Sequence, residues 1–236
     1  MKVFLITSNI ETKRAKNIAL LKHSFEHLHI IEAVYPSIQK VPFLSKLLNA
    51  SQEQINRPLS FGELGCIMSH RKVWTEIKND DTNESEYLIL ESDAIINNET
   101  LLKTNIQALH FDFDIVFWGA FDGRTKLIRS HKKVLDKGYA YGVPILNSLY
   151  CTYGYSINKK AAIYLLNNTK KTTFPVDYWK YRLRNSGLKV GAIVPELIST
   201  EGSQDSYVQN PVKFSIKQYL FDQLIDFKNS ILCYIK

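Results

Sequence analysis

The chain has 236 residues, 45% hydrophobic and 22% charged, with a formal net charge of +7. This composition supports one sizeable core and excludes a disordered or fibrous chain. Three scattered cysteines, Cys66, Cys151 and Cys233, form no CxxC pair, which excludes a disulfide framework or zinc-ribbon site and predicts reduced thiols in a cytoplasmic protein.

The opening "KVFLIT" reads as a buried first strand rather than an export signal. A helix is expected from about Glu11, with Ile18, Leu21, Phe25 and Leu28 at helical spacing. "HIIEAV" (29–34) reads as a second strand. This βαβ start predicts a mostly parallel, helix-covered sheet. Residues 35–59 are punctuated by Pro36, Pro42 and Pro58, with "FLSKLLNA" as a short amphipathic piece. Ser60 followed by Glu63 spells a capping box. The helix it opens has Leu64, Ile67, Trp74 and Ile77 on one face.

"NDDTNESE" is a polar loop that delivers the strand "YLILESDAII", and "FDIVFWGA" is the next central strand. Residues 121–150 read as a long loop region, a candidate binding loop or lid. "YGYSI" is a short strand, and Asn158 can cap the helix "KKAAIYLLNN". "FPVDYWKYRLRNSG" reads as a turn into a helix that Gly187 ends, and "KVGAIVP" as a last strand. The expected organisation is one α/β domain over 1–212 and an amphipathic helical tail over 213–236. In the tail Ile216, Leu220 and Leu224 are four apart, as are Phe227, Ile231 and Ile235, with lysines between them. Such a helix either packs on its own domain or lies in an anionic membrane interface. No apolar run approaches the roughly 20 residues that span a bilayer.

Glu91 and Asp93 stand where a strand ends. In open α/β sheets, ligands bind just outside the carboxyl ends of the strands. Two hard oxygen ligands facing one way suit Mn²⁺ or Mg²⁺ held together with a phosphate. The alternative is that both carboxylates merely open a turn.

Four stretches, in order, carry a family resemblance: "VFLITSNIETKRAKNI", "LSFGELGCIMSHRKVW", "YLILESDAII", and "GYSINKKAAIYLL" with "PVDYW" behind it. Together the chain resembles glycosyltransferase family 25, the lipooligosaccharide-biosynthesis glycosyltransferases, over residues 3–179. The resemblance implies a GT-A type, Rossmann-like nucleotide-sugar fold and an inverting transfer, with UDP-galactose the usual donor. An oligosaccharide or glycolipid acceptor follows, with possible peripheral contact at the cytoplasmic face of a membrane. Where the family usually has Glu-Asp-Asp, this chain has Glu91-Ser92-Asp93. The outer pair still forms an acidic-x-acidic motif, with Asp93 the first expected metal contact.

An inverting transfer needs a general base and a cation for the leaving diphosphate. Asp177 is the candidate base, with Asp122 in reserve; Asp177 also fits a helix N-cap. Tyr178 and Trp179 beside it could stack on the acceptor sugar, and Gly154 and Tyr155 match the family's Gly-Tyr pair, also on the acceptor side. His70 lies in the matched Ser-His and is read as a donor-site or site-ordering group; otherwise it is a satisfied core histidine. Glu63 is a weak site candidate, since its capping box explains it. Thr7, Asn9 and Arg14 follow the first strand on the donor side, where Arg14 could pair with a phosphate. Two other classes compete: a metal-dependent phosphohydrolase, and a binder of an anionic ligand or nucleic acid. The latter is disfavoured, because the lysines are dispersed and no nucleic-acid motif occurs.

Overall fold

The computed structural model describes residues 1–82, 84–120, 123–136, 138–200 and 216–235, with the side chains of 216–223 and 226 outside the description. Asp122 therefore lies outside the described residues. The strands are β1 (Lys2–Thr7), β2 (Leu28–Glu32), β3 (Tyr87–Glu91), β4 (Ala94–Ile96), β5 (Ile115–Gly119), β6 (Lys133–Asp136), β7 (Tyr139–Gly142), β8 (Gly154–Ile157), β9 (Val190–Val194) and β10 (Ile198–Thr200). The helices are α1 (Ala15–Ser24), α2 (Leu44–Asn49), α3 (Gln52–Ile55), α4 (Phe61–Asn79), α5 (Glu99–His110), α6 (Lys159–Asn168), α7 (Trp179–Leu183) and α8 (Ile216–Ile235).

Eight strands form one sheet in the order β2-β1-β3-β8-β5-β9-β7-β6, and β4 pairs with β10 in a small second sheet. Most strands share one direction, but β8 runs antiparallel between β3 and β5, and β7 antiparallel to β9. The expected mostly parallel sheet is thus present with two reversed strands inside it.

Strand alternation explains the apolar runs. Phe4, Ile6, Tyr87, Ile89 and Phe117 point to one face, under α4 and α6. Val3, Leu5, Leu88, Leu90 and Val116 point to the other, under α1 and α5. A strand covered on both faces has no solvent side on which to place polar residues.

The capping box forms as read: Ser60 Oγ accepts from the Glu63 amide at 3.1 Å, and Glu63 Oε2 accepts from the Ser60 amide at 2.8 Å. Leu64, Ile67, Trp74 and Ile77 are fully buried. Asn158 caps α6 by accepting from Ala161 N at 2.9 Å. Three readings change. Residues 121–150 hold the antiparallel pair β6–β7, which extends the sheet at its edge. α7 stops at Leu183, where Asn185 takes a positive φ of 60°, before Gly187 is reached. Ile198–Thr200 is a further strand, recruited by Ala94–Ile96 rather than by any period of its own. No described helix is long and apolar enough to cross a membrane. The tail is helical over Ile216–Ile235 and rests on the 146–148 turn, where the buried Asn229 donates to Asn147 O at 3.5 Å.

Candidate active site

A cleft of about 790 Å³ opens at the carboxyl ends of β1 and β3, between the loop after β1 and the N-terminal half of α4. Its size suits a drug-sized or nucleotide-sized ligand. Gly65 brings α4 close: a Cβ there would stand 2.4 Å from Val34 O, so only glycine lets the helix lean on the far wall.

Glu91 has the same strand parity as Tyr87 and Ile89, so it faces α4. There Cys66 and His70, one helical turn apart, meet it. Glu91 Oε1 pairs with His70 Nε2 at 2.9 Å, with Cys66 Sγ at 3.7 Å, and with the Thr152 hydroxyl. Burial pushes the Glu91 carboxyl up, but the His70 contact, the Thr152 hydroxyl and Arg14 bring it below the usual carboxylate value. Burial and the Glu91 charge push the Cys66 thiol well up, so it is no nucleophile.

Asp93 reaches the site differently. β3 ends at Glu91, and Ser92-Asp93 form a turn rather than continuing the strand. Asn17 Nδ2 holds that turn through Ser92 O at 2.8 Å and Ala94 O at 3.0 Å. The two carboxylates are therefore brought near each other by a pinned turn and not by strand alternation. Arg14 clamps the same turn, donating to Ser92 Oγ at 2.8 Å and to Asp93 Oδ2 at 2.9 Å. Asp93 Oδ1 is buried and takes no hydrogen bond from any described residue. Burial and the nearby Glu91 charge, against Arg14, push Asp93 up to about 6.

These features fit a divalent cation. Asp93 Oδ1 is an orphaned hard oxygen, and Glu91 Oε2 accepts no hydrogen bond from a described residue. Asp93, pushed up by burial and the Glu91 charge, would gain from positive charge beside it, and Glu91 offers an oxygen held in the ionised form. Cys66, His70 and Glu91 also lie with their polar atoms within 4.8 Å of one another, but there His70 Nε2 and the Cys66 thiol are turned to Glu91 Oε1.

Asp177 is part-buried and does not itself line the cleft, but the charges of Glu63 and Glu91, which do, act on its carboxyl. It does not cap α7: the cap residue is Tyr178, with no side-chain cap bond. Burial, aided by Glu63 and Glu91, pushes its carboxyl up to about 6, with Arg182 opposing. Glu63 lines the cleft and is gripped by Arg57 at 2.6 and 2.8 Å.

Several expected contacts fall elsewhere. Trp179 and Tyr155 are fully buried and pack edge-to-face in the core, with ring centroids 5.5 Å apart, so neither ring can border a sugar. Trp179 Nε1 is spent on Cys151 O at 2.8 Å. Gly154 packs under β10, where a Cβ would stand 2.6 Å from the Ile198 side chain; its close approach is to protein. Tyr178 is half-buried, close enough to Arg57 to act on its guanidinium, and so sits towards the cleft rim. Thr7 is buried and donates to Glu11 Oε2 at 2.7 Å, while Asn9 is exposed and does not line the cleft. His70 is fully buried and paired with Glu91 Oε1.

Sequence reasoning missed Glu11, Cys66 and Thr152. Glu11 is buried in the cleft wall, where the Ser8 amide and the Tyr35 and Thr7 hydroxyls donate to it. Cys66 was findable, lying four residues before His70 on one helix face. Thr152 and Tyr35 carried no pattern that leads to the site.

The model of glycosyltransferase family 25 (LPS biosynthesis protein) matches residues 1–179. The chain belongs to glycosyltransferase family 25. Its mixed α/β sheet is the GT-A type fold expected of that family, with the carboxylate pair at the end of β3. A glycosyltransferase 25 family member of Anopheles gambiae is 29% identical over 175 residues, covering 70% of this chain and 28% of the relative. Procollagen galactosyltransferase 1 of Danio rerio is 31% identical over 160 residues, covering 56% and 24%. The chain thus spans under a third of the length of these curated relatives. Among solved structures it is similar to a Drosophila β1,4-galactosyltransferase 7 mutant in complex with manganese, UDP-Gal and xylobiose. The TM-score is 0.46 at 8% identity, covering 93% of this chain and 78% of that one.

Proposed function

We propose that the chain is an inverting hexosyltransferase. It takes a sugar from a nucleotide diphosphate donor, UDP-galactose first, and gives it to an oligosaccharide or glycolipid acceptor. The observation that carries this reading is the Glu91–Asp93 turn: Glu91 and Ser92 line a nucleotide-sized cleft at the sheet's carboxyl edge, and Asp93 beside them keeps an orphaned buried oxygen. Galactose is favoured because relatives of this chain are named procollagen galactosyltransferases.

Glu91 and Asp93 would hold a divalent ion, Mn²⁺ or Mg²⁺, which neutralises the diphosphate when bound. Arg14, on the same turn, offers a second positive group to the phosphates. Asp177 takes the proton of the acceptor hydroxyl as its oxygen bonds to the anomeric carbon. The bond from that carbon to the diphosphate oxygen breaks, and the nucleoside diphosphate leaves with the electron pair. A carboxylate poised near pH 6 is suited to this task. Peripheral contact with an anionic membrane is supported by α8, where Leu224, Phe227, Ile231 and Tyr234 are exposed. Lys228 is exposed among them, and Arg129 lies 5.3 Å from the Tyr234 ring centroid.

Calorimetric titration with UDP tests the site. Manganese-dependent binding that EDTA abolishes is the expected result, and equal binding in EDTA removes the cation role. Transfer from UDP-galactose to a saccharide, against hydrolysis by water alone, then separates a transferase from a phosphohydrolase.

A further inference from the structure

Behind Glu91 lies a hydrogen-bonded chain that the transfer itself does not use. Trp74 Nε1 meets Tyr155 Oη at 2.9 Å, Tyr155 Oη meets His70 Nδ1 at 2.8 Å, and His70 Nε2 meets Glu91 Oε1 at 2.9 Å. Trp74, Tyr155 and His70 are each fully buried. Cys66, His70 and Trp74 recur every four residues on α4, so one helix face carries the row. Tyr155 enters from β8, whose antiparallel register sets it opposite Ile89, two residues before Glu91.

The donors and acceptors leave one self-consistent order. An indole N–H can only donate, so Tyr155 Oη accepts from Trp74. The phenol has one hydrogen, and His70 Nδ1 is the remaining partner within reach. Burial holds the phenol well above its usual pKa, so that hydrogen stays on the oxygen. Nδ1 is then an acceptor, and Nε2 carries the hydrogen that Glu91 receives. The reverse order would point Nδ1–H at the phenol oxygen and strand the phenol hydrogen in the core, a costly arrangement.

We infer that Trp74 and Tyr155 are positioning residues. By fixing the hydrogen of His70 on Nε2, they hold Glu91 through Oε1 and leave its Oε2 for a cation. The proximity of Cys66, His70 and Glu91 is then not a metal site in this state. The His70 nitrogen that faces Glu91 is a donor and has no lone pair to offer a metal. This inference rests on the proposed cation role for its consequence in binding, but the hydrogen order stands by itself.

The test has two arms. Nitrogen-15 NMR of the imidazoles, with His70 assigned by comparison with His70→Asn, reads the tautomer in the metal-free protein. Hydrogen on Nε2 is expected in the wild type; hydrogen on Nδ1 in the wild type overturns the inference. Mn²⁺ titration then compares Tyr155→Phe with Ile77→Val, a core change on the same helix outside the chain. Tyr155→Phe should weaken Mn²⁺ by roughly 10-fold, as loss of an outer partner does, and Ile77→Val should not. Equal weakening by both would reduce the tyrosine to a packing role and overturn the positioning claim. A wild type that binds no Mn²⁺ would sink the cation reading alone, with the tautomer still deciding the hydrogen order.

Discussion

The two sides of the Ser92 turn are built on opposite plans. On the α4 side, Glu91 is a solved problem: one oxygen faces a histidine, a hydroxyl and a thiol, and its pKa is low. On the β1 side, Asp93 is left unfinished, with one arginine contact, one orphaned buried oxygen and a pKa pushed up to about 6. In the proposed site the satisfied carboxylate would be held in place, and the unsatisfied one would gain most from a cation. A site needs both, because a cation held only by saturated ligands gains little, and one held only by unsatisfied ligands is imprecisely placed.

If that division is right, the largest effect should come from the unfinished side. Asp93→Ala should lower transfer by about 10³-fold or more, given the several kcal/mol a metal contributes to transition-state charge. Circular dichroism should show the fold kept, and retained full activity would sink the metal role. Asp177→Asn should cost about 10²- to 10⁴-fold in kcat with donor affinity unchanged, the signature of a lost base. A parallel loss of donor binding would place the residue on the donor side instead.

The pH behaviour follows from the same residue. A base with a pKa near 6 must be ionised to work, so kcat should rise through pH 6 and level off above it. The folded pKa lies above the unfolded value, so the folded state binds the extra proton. Stability is then greatest below about pH 4 for this group and falls as pH rises through 6. Asp177→Asn should remove that fall and gain about 1–3 kcal/mol at pH 7 relative to wild type, read from urea melts at two pH values. No change between pH 4 and 7 would show that the carboxyl is not destabilised.

Smaller effects should sort the clamp from the cap. Arg14→Ala should weaken UDP binding by roughly 10-fold, since a charge-assisted contact is worth about 1.5–3 kcal/mol. An unchanged affinity would confine Arg14 to holding the turn. Ser60→Ala should cost about 1 kcal/mol of stability and leave kcat within a factor of two or so. A large loss of kcat would mean that Glu63 acts in the cleft and does more than close the capping box.

Local chemistry wrote much of this molecule in plain view. β1 and β3 follow from apolar runs, α4 from Ser60, Glu63 and a face of large apolar side chains, and α6 from the Asn158 cap. Each of these is settled by contacts within a few residues or by simple burial, so the sequence alone determines it. The family and the Glu91–Asp93 pair were legible for the same reason, being short stretches with a fixed order. The tertiary structure decided the rest. It turned Tyr155 and Trp179 from sugar platforms into core, because β8 runs antiparallel inside the sheet and α7 folds back upon it. It gave Gly154 a strand to receive instead of a ligand, it drew Cys66 and Thr152 together on Glu91, and it set Glu11 and Cys66 in the lining of one cleft. Side-chain fate in a sheet depends on which strands become neighbours, and those pairings join residues up to about a hundred positions apart, beyond the reach of any local pattern.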